Sequence, residues 1–270
     1  LAFLGAEYDE VLKEIYTTAT TSIVFNKNNF ISCLYNKSFA DTEPLKKLIE
    51  KYSDESVLKA IAQEHLNGRR LYLGTTNLDA QRLMVWNMGM IANSGHPDAL
   101  KLFRKILLAS LSVPCIFPPV YFDVEVDGMF YDEMHVDGWM ITDAFICNSM
   151  LDFPTDAMTK QKPRSAVYII RNDKLMPSLE RVPPNLPQIA ERALSALNKA
   201  HGEDHLDYIY TIAMRNHTDF NYIGVPENCS LPGKLTFDQK KMNRLFNSGQ
   251  ELGESGCKWQ KEPPALNISD

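Results

Sequence analysis

Two periodicities divide most of the chain into elements, one of about 3.6 residues for helices and one of two for strands. Val11, Leu12, Ile15 and Tyr16 fall on one face of a helix over Leu1 to Thr17, with Asp9, Glu10, Lys13 and Glu14 on the other. Ser38 to Leu66 is also helical in pattern, in two pieces broken near Ser53-Asp54, with Pro44 suited to a helix start and Gly68 just past an end. Leu71 to Thr76 and Leu83 to Met88 read as partner strands joined by a turn over Asn77 to Gln81. Leu100, Phe103, Leu107, Leu108 and Leu111 then mark a helix entered near Pro97 and ended by Pro114.

Phe117-Pro118-Pro119 reads as a stiff extended connector, because each proline fixes φ, lacks an N–H and pushes the residue before it away from helix. Tyr121 to Val126 alternates, meets the hairpin signal Asp127-Gly128, and returns through Met129 to Val136 to a second Asp-Gly pair, Asp137-Gly138. The second pair differs from the first. Trp139, Met140 and Ile141 follow it and are too bulky and apolar for a solvent turn.

Further on, Ile141 to Met150 is apolar and reads as buried, and Asp152 to Pro163 as a polar loop. Ala166 to Arg171 reads as a buried strand and Pro177 to Pro187 as a proline-rich loop. Helices are expected over Pro187 to Ala200, Asp204 to Met214 and Phe237 to Gly253, with a last strand over Phe220 to Val225. Strands separated by helices with short connections predict an α/β sandwich about a largely parallel sheet. No linker divides the halves.

Composition narrows the function classes. The 270 residues, 44% of them hydrophobic, suffice for a sizeable core. A net charge of −6 argues against a sequence-independent grip on nucleic-acid phosphate. The longest apolar run, Ile106 to Phe117, carries Ser110, Ser112 and Pro114 and is too short for a transmembrane segment. Five widely spaced cysteines, Cys33, Cys115, Cys147, Cys229 and Cys257, include no Cys-x-x-Cys pair and predict free thiols. Asn-x-Ser/Thr triplets at Asn36, Asn216, Asn228 and Asn267 add little without a known compartment.

Arg104, Ala109-Ser110, Pro114, Phe117-Pro118-Pro119-Val120 and Tyr131 to Gly138 occur in an order that resembles the patatin-like phospholipase family. Matches also lie at Leu73 to Asp79 and Val85 to Gly89 upstream, and at Asp219-Phe220-Asn221 and Gly253 to Pro264 downstream, so the resemblance spans essentially the whole chain. It implies a patatin-like three-layer α/β sandwich of which residues 1–270 are the C-terminal portion of one domain, with the N-terminal part missing. It further implies a lipid acyl hydrolase, a phospholipase or carboxylic ester hydrolase, that uses a serine–aspartate dyad and takes a lipid or ester substrate without metal or cofactor. Asp137 matches the dyad aspartate and would be the general base, followed by motif residues Gly138 and Trp139.

The nucleophile is expected upstream of Leu1, on a Gly-x-Ser-x-Gly turn next to a Gly-rich oxyanion loop, so this chain alone is predicted inactive. Gly-x-Ser-x-Gly occurs nowhere within it. Gly253-Glu254-Ser255-Gly256 comes closest and ends in Cys257, while Ser94 and Ser248 fall in Asn-Ser-Gly triplets that predict turns. The targeting region would also be absent, which leaves localisation unread.

Trp139 stands where the family carries Gly or Ala. On an extended backbone it shares a side with Asp137, which predicts an indole pointing into the acyl pocket. The same departure raises an alternative, a non-catalytic protein that keeps the fold for lipid or partner binding. Other chemistry reads weakly. His201 and His205 have metal-ligand spacing, but Gly202 between them predicts a turn, and Asp132-Glu133 are strand neighbours that face opposite ways. Trp86 reads as core before pocket lining.

Overall fold

The polypeptide is mixed α/β. The computed structural model describes residues 1–27, 40–114, 116–141, 165–174, 181–226, 229 and 237–264. They fall into two units, Leu1–Ile141 with Leu231–Phe246 and Thr142–Ser230 with Asn247–Asp270, each of which is taken by itself. The expectations for Ile141 to Met150 beyond its first residue, for Asp152 to Pro163, and for Cys33, Cys115 and Cys147 lie outside the described residues. Cys229 and Cys257 are free.

In the first unit, short 3-10 turns lead into α1 (Asp9–Thr18) and α2 (Thr21–Val24), after which β1 (Asn26–Lys27) pairs antiparallel with β2 (Ala40–Asp41). Next come α3 (Glu43–Tyr52) and α4 (Glu55–Leu66). The break between them falls where the sequence puts it, because the Asp54 carboxylate accepts the N–H groups of Ser56 and Val57 and so caps α4. Arg104 braces the same break from the neighbouring α6 (Ala99–Ser110), its Nε donating to Ser53 C=O (2.9 Å) and Nη2 to Glu50 C=O (3.1 Å).

Two hairpins build the main sheet. The strands β3 (Tyr72–Asn77) and β4 (Arg82–Asn87) form one, and β5 (Val120–Val126) and β6 (Met129–Asp137) the other. At the second turn Asp127 and Gly128 both have positive φ, 52° and 77°, as a two-residue hairpin turn with strand-matched twist requires. The order is β4-β3-β6-β5, antiparallel throughout. This corrects the largely parallel sheet expected from the sequence: strands joined by tight turns must run antiparallel, and only a long crossover allows parallel pairing.

One face of this sheet is covered by α4, α5 (Met88–Ala92) and α6. Leu58, Ile61, Met88, Phe103, Ile106, Ala109 and Phe122 are buried together there, with Leu73, Trp86, Val120 and Val124 packed against them. Full burial of such side chains contributes roughly 1.5–3 kcal/mol each. A second cluster joins Val24, Phe25, Ala40, Leu45 and Phe117, the two phenylalanine rings meeting edge to face at 5.4 Å.

The second unit contains the parallel pairing. The strand β7 (Ala166–Lys174) lies beside β8 (Asp219–Val225), and the chain between them includes α7 (Leu186–Arg215). Two sequence expectations fail here. The helices expected on either side of Gly202 are one 30-residue helix, since Leu206, Ile209 and Ala213 bury themselves against Val167, Phe220 and Tyr222 and outweigh the roughly 1 kcal/mol that glycine costs a helix. Nor is β7 buried throughout: Val167 is, but Tyr168 and Ile170 are 61% and 71% exposed. The helix α8 (Gln239–Glu254) follows, its residues up to Phe246 belonging to the first unit. Among the described residues no helix is long and apolar enough to cross a membrane.

Candidate active site

Asp137 is the last residue of β6, and both of its backbone groups are bonded to other elements. Its N–H donates to Ser112 C=O (2.9 Å) just beyond the end of α6, and its C=O accepts from the Thr76 hydroxyl on β3 (3.0 Å). The Asp137 carboxylate accepts the N–H of Trp139 (3.1 Å), and the residue as a whole is half-buried. An aspartate held at its backbone on two sides is positioned to take a proton from a group brought to it.

Gly138 is set by space and not by dihedral angle. A Cβ there would stand 2.7 Å from the Gly74 carbonyl oxygen and 2.8 Å from its carbon. The second Asp-Gly pair is therefore a point where β3 and the end of β6 meet backbone to backbone, whereas Asp127-Gly128 is a turn.

Extended backbone stops at Asp137, and Gly138–Met140 is a 3-10 turn. The alternation that would send the indole of Trp139 to the side of Asp137 does not apply beyond a strand's end, and Trp139 is 40% exposed. Trp86 is half-buried and packs against the core, stacked on Phe122 at 5.1 Å.

His135 is the residue whose role the sequence left unread. Its ring is fully buried between Phe122 and Trp86, with ring centroids at 4.7 and 5.9 Å. Nδ1 lies 2.9 Å from the Thr75 hydroxyl and Nε2 lies 3.3 Å from the Glu133 carboxylate, while the Thr75 oxygen also accepts Trp86 Nε1–H at 2.7 Å. Burial pushes the imidazole pKa below its ordinary value, against the opposing pull of Glu133 and, less strongly, Asp79. The available signal was spacing: residues two apart on a strand share a face, so His135 sides with Asp137.

Asp79 closes the β3–β4 turn onto β6, its carboxylate accepting Met134 N–H at 2.6 Å. Asp132 and Glu133 do not form a carboxylate pair, since Glu133 is engaged with His135 and Asp132 is exposed. The hydroxyls of Ser94, Ser110, Ser112 and Ser255 each donate to a carbonyl three or four residues earlier. That is the local bonding of helix-end serines, whereas Ser248 lies inside α8 and not in the turn expected of its Asn-Ser-Gly triplet.

In the second unit His201 and His205 both lie within α7, which corrects the turn expected around Gly202. Their ring centroids are 5.6 Å apart, and His205 Nδ1 bonds His201 C=O at 3.0 Å. Among the described residues no group of three or more His, Cys, Asp or Glu could hold a metal ion. No family model matches the chain, and no curated protein matches it.

Proposed function

We propose that this chain carries the base of a serine–aspartate acyl hydrolase, a patatin-like phospholipase acting on lipid or other carboxylic esters, with the fold of a patatin-like three-layer sandwich. The reading rests on the order of motifs along the sequence and on one structural observation: Asp137, half-buried, ends a strand with its N–H and C=O both bonded to neighbouring elements. In this reading the nucleophile stands on a Gly-x-Ser-x-Gly turn N-terminal to Leu1. The serine attacks the ester carbonyl carbon, Asp137 takes the hydroxyl proton directly, and the proton passes to the leaving alcohol as the acyl-enzyme forms. Water then attacks the acyl-enzyme and gives a proton to Asp137, which passes it to the departing serine oxygen as the carboxylic acid is released. Backbone N–H groups beside the serine stabilise the oxyanion.

Trp139 in place of a small residue favours a second reading, a lipid- or partner-binding protein that keeps the fold without turnover. One experiment separates the two. The chain is expressed with its upstream coding sequence and assayed on nitrophenyl esters and on phospholipid vesicles. Hydrolysis that falls by about 10²–10⁴ in Asp137→Asn supports the hydrolase. Full activity in that variant sinks the dyad assignment, and vesicle binding without turnover supports the binding protein.

A further inference from the structure

The hydrogen bonds around His135 run in one direction. Trp86 Nε1–H can only donate, so the Thr75 oxygen accepts there. The Glu133 carboxylate can only accept, so Nε2 of His135 carries a proton. A neutral imidazole has one N–H, which leaves Nδ1 bare to accept the Thr75 hydroxyl proton. The chain Trp86 to Thr75 to His135 to Glu133 then leaves no polar atom of the fully buried His135 or Thr75 side chains without a partner. An imidazolium would put a proton on Nδ1 and turn the Thr75 hydroxyl away from its buried acceptor.

The place of this chain in the sheet gives it a consequence. Strands β5 and β6 pair over seven positions, but β3 and β6 over only three: Thr75 with Asp137, Thr76 with Val136 and Asn77 with His135. The bond from His135 to Thr75 crosses that short ladder diagonally, from the residue two before Asp137 to the residue directly opposite Asp137. The charged groups facing the ring are Glu133 on its own strand, Asp79 in the β3–β4 turn and Lys105 on α6, whose ammonium lies 4.9 Å from the Phe122 ring centre.

Resting on the reading of Asp137 as the base, we propose that His135 is its positioning residue: a buried neutral imidazole, protonated on Nε2, that ties β6 to β3 through Thr75 and so fixes where Asp137 is presented.

Three variants and two readouts test this. His135→Gln retains an acceptor for Thr75 and a donor for Glu133, whereas His135→Phe keeps the ring packing and loses both bonds. In the protein with its upstream sequence, His135→Phe is expected to lower kcat about 10²-fold with KM within about twofold, the loss expected of a reacting group displaced by about 1 Å. His135→Gln is expected to recover most of it. On the 270-residue chain, nitrogen-detected NMR is expected to find the His135 proton on Nε2, and the titration of the Asp137 side-chain carbon to shift in His135→Phe but not in His135→Gln. A folded His135→Phe with the wild-type kcat, or a wild-type ring protonated on Nδ1, overturns the proposal. Should the extended wild type prove inactive, the hydrolase reading fails, and the Asp137 titration decides the positioning role by itself: no shift in His135→Phe overturns it. Should His135→Phe fail to fold, Thr75→Val takes its place in both readouts, and an unmoved kcat or Asp137 titration there overturns the proposal equally.

Discussion

Gly138 meets Gly74 backbone to backbone, with room for a hydrogen but not for a methyl group: the added carbon would sit 2.7 Å from a carbonyl oxygen that belongs to a paired strand. The neighbour cannot swing aside as a side chain would. Gly138→Ala is therefore expected to push the end of β6 off β3, at a cost of about 1–3 kcal/mol, the usual range for overpacking. Urea denaturation of the two proteins measures it. Equal midpoints would mean that the strands part without cost.

Thr75 offers a second substitution of nearly constant shape. Thr75→Val removes the hydroxyl and leaves buried Nδ1 of His135 without its donor and Nε1–H of Trp86 without its acceptor. The expected loss is at least about 1–3 kcal/mol, the cost of stranding the buried His135 nitrogen, with the partly buried Trp86 N–H adding to it. Thr75→Ser, which keeps the oxygen, is expected to lose less. Thermal unfolding of the three proteins at neutral pH gives the order, and a Val variant as stable as wild type would mean that the bond contributes nothing.

How far the sequence carried the structure differs from one element to the next, and the reason is range. Asp127-Gly128, the break at Asp54 and the helix ended before Pro114 are local matters of turn chemistry, capping and backbone restriction, and all were legible. The uninterrupted α7 was not, because Gly202 argues locally for a break while the burial of Leu206, Ile209 and Ala213 argues for continuity from across the chain. The exposure of Tyr168 and Ile170 was hidden for a similar reason: a run of apolar residues states a preference for burial and does not state how many layers cover the strand. Within the candidate site the sequence pointed to Asp137 and Gly138, but the role of Gly138 comes from Gly74, a residue remote in sequence. His135 needed Thr75, Glu133, Trp86 and Phe122 around it before its place could be seen.

The depressed pKa of His135 fixes the sign of a pH effect. With a folded value below the unfolded one of about 6.5, the unfolded chain binds the proton first as the solution is acidified. The stability contributed by the neutral ring is fully present above about pH 6.5 and is lost as pH falls through the folded value. In His135→Gln this component is absent. Urea midpoints for both proteins between pH 8 and pH 5 are expected to converge or cross towards the acid end, and parallel curves would contradict the depressed value.

Trp139 touches Asp137 through its backbone N–H, which any residue except proline supplies. With the indole 40% exposed, Trp139→Ala in the protein with its upstream sequence is expected to change stability by no more than the roughly ±0.5 kcal/mol typical of surface changes and to leave the acyl-chain profile unchanged. Esters of graded chain length check it. A broadened acyl range would instead return the indole to the pocket.

The Asp137 N–H bond to Ser112 gives Arg104 a reach that its own neighbourhood does not suggest. The guanidinium locks α6 to the end of α3, Ser112 is tied back to Leu108 in the last turn of α6, and the Ser112 carbonyl holds Asp137. One bonded run of helix thus links the arginine to the Asp137 backbone. The backbone on which Asp137 sits is tied, through the second half of α6, to a cation at that helix's other contact.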